Sequence, residues 1–309
     1  MSFNRLAVYA HRGWASSVIF DSIAHSGAPV RVLYRPGSDI STLPSGVQAI
    51  EVDTEDQDAL RSSLKDIDIL ISLVGQAGIE IQYAFIKALP HTDVKLFVPS
   101  DLAFRSNEQG LRVRVNKVKD EVENAAKAAG IPMTIVLPGL FAESALSSGL
   151  LGIDLAKNRI IFSGDGENQR LNICTREYIA AGYASLFPKT PIADLQGRVI
   201  GLAELRPTGG EIAKALEKKH GSPPQIFRQS LEEIDRKFEE RMAGDGVLTL
   251  PYACRRLWGT GDALKAVGSD VWEVEGYQKS TLDELFNGGI SSYRDFPTDL
   301  IDAVDATFY

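Results

Sequence analysis

Basic residues are in short supply in this chain: 33 Lys and Arg stand against 41 Asp and Glu, a formal net charge of −8. That balance offers no bulk attraction to nucleic acid or to an anionic membrane, so neither is expected as a partner. Cysteine is nearly absent. Cys174 and Cys254 lie far apart and make no disulfide scaffold, which points to a reducing compartment. No apolar run approaches the roughly 18 residues that span a bilayer. The opening MSFNRLAVYA lacks the charged and long apolar regions of a signal peptide, and the expected setting is the cytoplasm. Histidines are few, and His25, His91 and His220 have no carboxylate or cysteine at metal-ligand spacing, so no metal site is expected. There is no G-x-S-x-G elbow to support a hydrolase.

What remains is ordinary in bulk, 309 residues of which 44% are hydrophobic, with ample material for a core. Its order is informative. Leu6–Ala10 is a short apolar run, and Ser16–Ser26 then carries Val18, Ile19, Phe20, Ile23 and Ala24 at helical spacing before Gly27. VRVLY (30–34) and VQAIEV (47–52) read as strands, 58–64 as a helix, and DILISLV (68–74) as a strand buried on both faces. A helix over 79–89, a strand over 95–100, a helix over 117–130 and a strand over 133–139 complete the first half. Such alternation predicts α/β architecture: a Rossmann-type, doubly wound parallel sheet over residues 1–141. Residues 142–309 are expected to form a smaller α+β lobe packed closely on it. Its helices should follow Thr175, end at Gly221, and run amphipathically through LEEIDRKFEERM with Ile234 and Phe238 on one face.

Ligands of such sheets gather beyond the carboxyl ends of the strands. Those ends carry HRGWAS, RPGS, DTED, GQAG, PSDLAF and PGLFAES. The first occupies the place of a dinucleotide loop, which needs glycine for a tight turn, for close approach to the pyrophosphate, and for helix–strand packing. Here the pattern is small-x-x-Gly-x-x-small, with Ala10, Gly13 and Ser16, and Gly13 alone has unrestricted backbone freedom. Gly13 would lie nearest a phosphate, Ala10 and Ser16 meeting milder steric demands. Arg12, Trp14 and Ala15 would complete the contact at the helix start. A strand-to-helix turn that binds nothing accounts for the same pattern. Arg35 ends the second strand, where a carboxylate would select NAD and an arginine accommodates the 2′-phosphate of NADP; a solvated surface arginine is the alternative. Val74, Gly75, Gln76, Pro99, Ser100 and Pro138 come to the same edge and are the remaining candidate cofactor contacts.

The N-terminal strand and loop, VRVLYR, DILISLVG, VKLFVPSDLAF, KDEVENAAKAAGIPMTIVLPGLFAES and GDGENQRLNICTREYIA stand in one order over residues 6–217. This series resembles the NmrA-like and isoflavone-reductase-like proteins, an atypical branch of the short-chain dehydrogenase/reductases. The resemblance implies an NADP(H)-binding Rossmann domain and a C-terminal lobe that shapes the pocket of a small-molecule substrate. It also implies that the Tyr-x-x-x-Lys pair of ordinary relatives is not the catalytic device. A lysine before Gly-Ile-Pro serves instead as acid/base beside the nicotinamide, and it matches Lys119. An i, i+4 surface pair with Glu123 is the plain alternative for that lysine. At the loop the sequence departs from the family, whose glycines are Ala10 and Ser16 here.

Phe104, Phe141 and Tyr178 are candidates to line an aromatic substrate pocket, or else core. RVRVNKVK (112–119) could attract an anion or form a solvated helix entry. The expected function is an NADP-dependent reductase of a small, aromatic or polyketide-like metabolite. Two alternatives stay open: an NADP-sensing regulator with a protein partner, and a non-redox isomerase or cyclase on the same fold.

Overall fold

The computed structural model describes residues 2–244, 246–288, 290 and 298–308. Strand β1 (Leu6–Tyr9) is followed by α1 (Ser16–Ala24), β2 (Val30–Tyr34), β3 (Gln48–Glu51), α2 (Gln57–Ser63) and β4 (Ile69–Ser72). Next come α3 (Gln82–Ala88), β5 (Leu96–Val98), α4 (Arg114–Ala128) and β6 (Ile135–Leu137). β1 to β5 form a parallel sheet in the order β3-β2-β1-β4-β5. Chain reversal at β1, with a crossover to each side, makes this the doubly wound α/β arrangement expected.

The period of two along each strand sorts the core. On β1, Leu6 and Val8 join Val32, Ile69 and Ile71 on one face, while Ala7 and Tyr9 join Leu33 and Leu70 on the other. Helices α2, α3 and α4 cover the second face through Leu60, Phe85, Val122 and Ala126. The first face is closed by Ile19, Phe20 and Ile23 of α1, and by residues from beyond position 141.

That later chain contributes to both halves of the molecule. β7 (Leu140–Phe141), α5 (Ala142–Ser147), β8 (Ile153–Asp154), β9 (Arg159–Ser163) and β10 (Ile173–Cys174) lead into α6 (Arg176–Leu186). Tyr178, Ile179, Tyr183 and Leu186 of α6 pack on the first sheet beside α1. β11 (Val199–Leu202) returns to pair in parallel with β6, and β13 (Val271–Trp272) pairs with β11. β6 joins the main sheet through the Phe97–Met133 bridge and the bonds Phe97 N to Pro132 O and Thr134 N to Phe97 O, 2.9 and 3.1 Å.

The rest of the second half is a separate layer. β12 (Gln225–Gln229) joins β9 and β8 in a three-stranded sheet, and α7 (Gly209–His220), α8 (Leu231–Ala243), α9 (Thr249–Gly259), α10 (Leu282–Gly288) and α11 (Thr298–Asp305) complete the layer around it. Local signals set these helices. Thr208 and Glu211 make a reciprocal capping box at the start of α7, and Gly221 ends it at φ 69°. Thr175 caps α6 by accepting from the Tyr178 amide, and Ile234 and Phe238 are the buried stripe of α8. No helix among the described residues is long and apolar enough to cross a membrane.

Candidate functional site

The glycine-poor loop keeps the shape that glycine normally supplies. Ala10 follows β1 at φ 68°, in the left-handed region that L-residues avoid. Its steric demand is therefore not mild, as the small-residue pattern suggested, but the full demand of the first glycine position. The chain then turns at once into α1, whose first helical bond runs from Ser17 N to Gly13 O at 2.9 Å. A Cβ at Gly13 would stand 2.6 Å from Ser16 Oγ, so a larger residue there would turn that hydroxyl away. That hydroxyl accepts from the Gly13 amide at 2.6 Å, which ties the loop back onto the first helical residue. The Trp14 and Ala15 amides have no protein partner among the described residues, and they open the positive end of α1. Arg12 is half-exposed and 4.0 Å from Asp39, and Arg35 is exposed at the end of β2. Arg35 is close enough to act on the buried Tyr9 hydroxyl, whose pKa burial raises and the Arg35 charge lowers. A dinucleotide fits these features: unspent helix-start amides, no Cβ at Gly13, and two guanidinium groups at the surface, that of Arg12 in a long pair with Asp39.

The neighbouring strand ends are tied together. Ser100 Oγ donates to Val74 O at 2.7 Å, and the Ser100 amide donates to Gln82 Oε1 at 2.8 Å. Val74, Pro99, Ser100 and Pro138 are buried, whereas Gly75 and Gln76 are exposed beside the loop. The buried four shape the edge, and the exposed two are available for contact.

Lys119 lies in the second turn of α4, because that helix begins at Arg114 rather than at 117. Its ammonium donates to the Asp101 carbonyl and stands 3.6 Å from Asp101 Oδ1, its side chain 18% exposed. Burial pushes the Lys119 pKa down, and the Asp101 charge opposes that. Asp101 is pushed up by burial and pulled down by Lys119 and Arg105. The surface pair with Glu123 does not form. Glu123 is buried and instead holds Arg105 through both oxygens, and Lys127 at 2.6 Å. The basic run before Lys119 is solvated and paired, Arg112 with Glu239, Arg114 with Glu80 and Lys117 with Glu121.

The three aromatic candidates part company. Phe141 is half-buried and meets the Trp14 ring edge-on, centroids 5.2 Å apart. Phe104 is half-buried between the second-lobe core and Ile135, Leu137 and Val267. Tyr178, a candidate for pocket lining or core, is fully buried on the inner face of α6, 5.2 Å from Tyr277, and packs as core. Periodicity places such a residue inward without saying whether packing or a cavity awaits it.

Sequence reasoning missed the group that joins the loop to the later chain. Arg176, the first residue of α6, donates from Nη1 to Trp14 O at 2.9 Å and stacks over the indole at 4.6 Å. Glu143 of α5 accepts from the Arg176 amide at 3.0 Å and from its Nε at 3.4 Å. Burial pushes the Glu143 pKa up. These residues stood in motifs already noted, FAES and CTREYIA, but no spacing rule connects them to Trp14.

Comparison with known proteins bears on the family and the fold. Phenylcoumaran benzylic ether reductase PT1 of Pinus taeda is 31% identical over 201 residues, covering 60% of this chain and 64% of that protein. Eugenol synthase 1 of Petunia hybrida is 26% identical over 180 residues, covering 53% and 58%. The chain thus spans about three fifths of the length of these curated relatives. In three dimensions it is similar to the leucoanthocyanidin reductase–NADPH complex of Vitis vinifera, with a TM-score of 0.76 and 18% identity over 94% of this chain and 100% of that one. The model of the NmrA-like family matches residues 4–245, and the chain belongs to that family.

Proposed function

We propose that this protein is an NADPH-dependent reductase of a small aromatic metabolite of the phenylpropanoid type. The observation that carries the reading is Lys119, a shielded amine held against Asp101 at the sheet edge that also bears the α1 loop. Burial favours the neutral amine and the Asp101 carboxylate the charged one, and the net lowering leaves the Lys119 proton held less tightly than on a free lysine and open to transfer. The names of the relatives supply the substrate class, since they include reductases of a phenylcoumaran benzylic ether and of leucoanthocyanidin, the latter with NADPH bound.

In this reading the Trp14 and Ala15 amides, with Arg12, would hold the pyrophosphate. Arg35 would hold the 2′-phosphate, which makes NADPH the preferred form. When bound, the dinucleotide supplies a hydride. Lys119 would give or take the accompanying proton at its Nζ. The two buried free thiols, Cys254 pushed up to about 12 by burial, fit a reducing compartment, and we propose the cytoplasm.

Titration with NADPH and NADH, followed by tryptophan fluorescence and calorimetry, tests the cofactor. The expected result is micromolar NADPH binding that exceeds NADH binding, with the preference lost in Arg35→Ala. Absence of binding by both methods sinks the reductase reading. Where NADPH binds, its consumption with aromatic acceptors should disappear in Lys119→Ala while binding persists.

A further inference from the structure

At the entry to α1 one carbonyl breaks step with its neighbours. Gly13 O accepts from Ser17 N at 2.9 Å and Ala15 O from Ile19 N at 3.2 Å, each bond running back four residues as in any α-helix. Trp14 O, between them, accepts instead from Nη1 of Arg176 at 2.9 Å, across 162 positions of chain. A peptide unit is planar, so whatever fixes its carbonyl also fixes its amide, which points the opposite way in the trans form found here. The amide of this unit is the Ala15 N–H. It is one of the two that the loop leaves without a protein partner among the described residues.

Arg176 is itself held. Its own amide donates to Glu143 Oε1 at 3.0 Å, its Nε approaches the same oxygen at 3.4 Å, and its guanidinium lies 4.6 Å over the Trp14 ring. The Arg176 side chain is 13% exposed and that of Glu143 2%, so the group is largely withdrawn from competing water. A guanidinium fixed by a carboxylate, an indole face and a carbonyl holds that carbonyl in one orientation, at little further entropic cost. The bond is charge-assisted. A hydrogen bond at a carbonyl also polarises the amide of the same peptide, which makes its N–H a stronger donor to an anion.

We propose that Arg176 is a positioning residue for the dinucleotide: through the Trp14 carbonyl it aims and strengthens the Ala15 amide that receives the pyrophosphate. The proposal rests on the reading of the α1 loop as the pyrophosphate seat, and adds that the later chain sets how well that seat binds. A loop poor in glycine takes its working shape from a contact outside itself. The indole of Trp14 serves the same end, as the plate on which the guanidinium rests, and Glu143 anchors the guanidinium from the other side.

The test is nuclear magnetic resonance and calorimetry of the full chain titrated with NADP⁺. Trp14–Ala15 is the one Trp-Ala step in the sequence, so isotope labels on tryptophan carbonyl carbons and alanine nitrogens pick out the resonance of this peptide alone. In the wild type, saturation should move the Ala15 amide proton downfield as it takes up a phosphate oxygen. Arg176→Met keeps an apolar stem over the indole but loses the donor. Its Trp14 carbonyl carbon should lie upfield of the wild type before ligand is added, and its NADP⁺ dissociation constant should rise about tenfold. Arg176→Lys, which still brings a donor, should show both changes at smaller size, about threefold in affinity. If Arg176→Met does not fold by its melting curve, Arg176→Lys decides. Unchanged affinity, an Ala15 proton that ignores NADP⁺, or lost affinity with the carbonyl resonance unmoved each overturns the proposal. Failure of the dinucleotide reading is seen separately, as a wild type that binds no NADP⁺ at millimolar concentration, and it removes the proposal with it.

Discussion

Ala10 offers a direct test of the loop geometry, because its backbone conformation and its side chain disagree. At φ 68° an L-residue pays about 1–2 kcal/mol relative to the right-handed region. Glycine pays almost nothing there, but its looser unfolded chain costs about 0.4–1 kcal/mol. Ala10→Gly should therefore stabilise the protein by about 0.5–1 kcal/mol. For a chain of this size that is a rise of roughly 1–3 °C in melting temperature. Ala15, five residues on, provides the control. It sits at φ −91° and ψ −38°, where glycine relieves no strain. Ala15→Gly should lower stability by about 0.5–1 kcal/mol. Scanning calorimetry of both variants against wild type, without ligand, measures the two signs. Opposite signs within one loop cannot come from a general loosening of the segment. A melting point for Ala10→Gly that is unchanged or lower refutes the left-handed assignment, and with it the claim that this loop keeps the glycine-type turn.

Other consequences concern charge. The limb of the pH–rate profile set by Lys119, rising or falling, should move to lower pH in Asp101→Asn, because the Asp101 charge opposes the lowering caused by burial. A limb that stays put removes Lys119 from the profile. Asp68 accepts from the Arg5 amide at 3.0 Å, from Arg5 Nε at 2.9 Å and from Lys95 Nζ at 2.9 Å, which holds its pKa well below the usual carboxylate range. A depressed carboxyl stabilises fully above its unfolded pKa of about 3.9, and that contribution fades as pH falls through the folded value. Asp68→Asn should cost about 1–2 kcal/mol at neutral pH, a figure reduced because Arg5 and Lys95 are 44% and 61% exposed. Urea midpoints for wild type and variant should converge below about pH 4; a constant gap contradicts the assignment.

The fold was legible because its signals are local and repeat. Alternation along β1 and β4, the Thr175 and Thr208 caps, and Gly221 each act within a few residues, and every one agrees with the tertiary arrangement. The early start of α4 escaped notice because its cap, Val113, makes no side-chain hydrogen bond and carries no capping signal. Lys119 was legible only by resemblance, since its partner Asp101 lies 18 positions away on another element. The contact of Arg176 with Trp14 crosses 162 positions and left no trace in any window. The loop shows why a motif can fail as a pattern and hold as a shape. Glycine is favoured at its first position because glycine makes the turn easy, yet Ala10 makes the same turn at a cost of a kcal/mol or two. Burial of β1 on both faces is worth far more than that, because Val8 and Tyr9, on opposite faces just before the turn, are each almost completely removed from water. Once the sheet dictates where the chain leaves β1, the residue at position 10 must take the conformation it is given. Absent glycines therefore weaken the case for a dinucleotide loop much less than a changed strand pattern would have done.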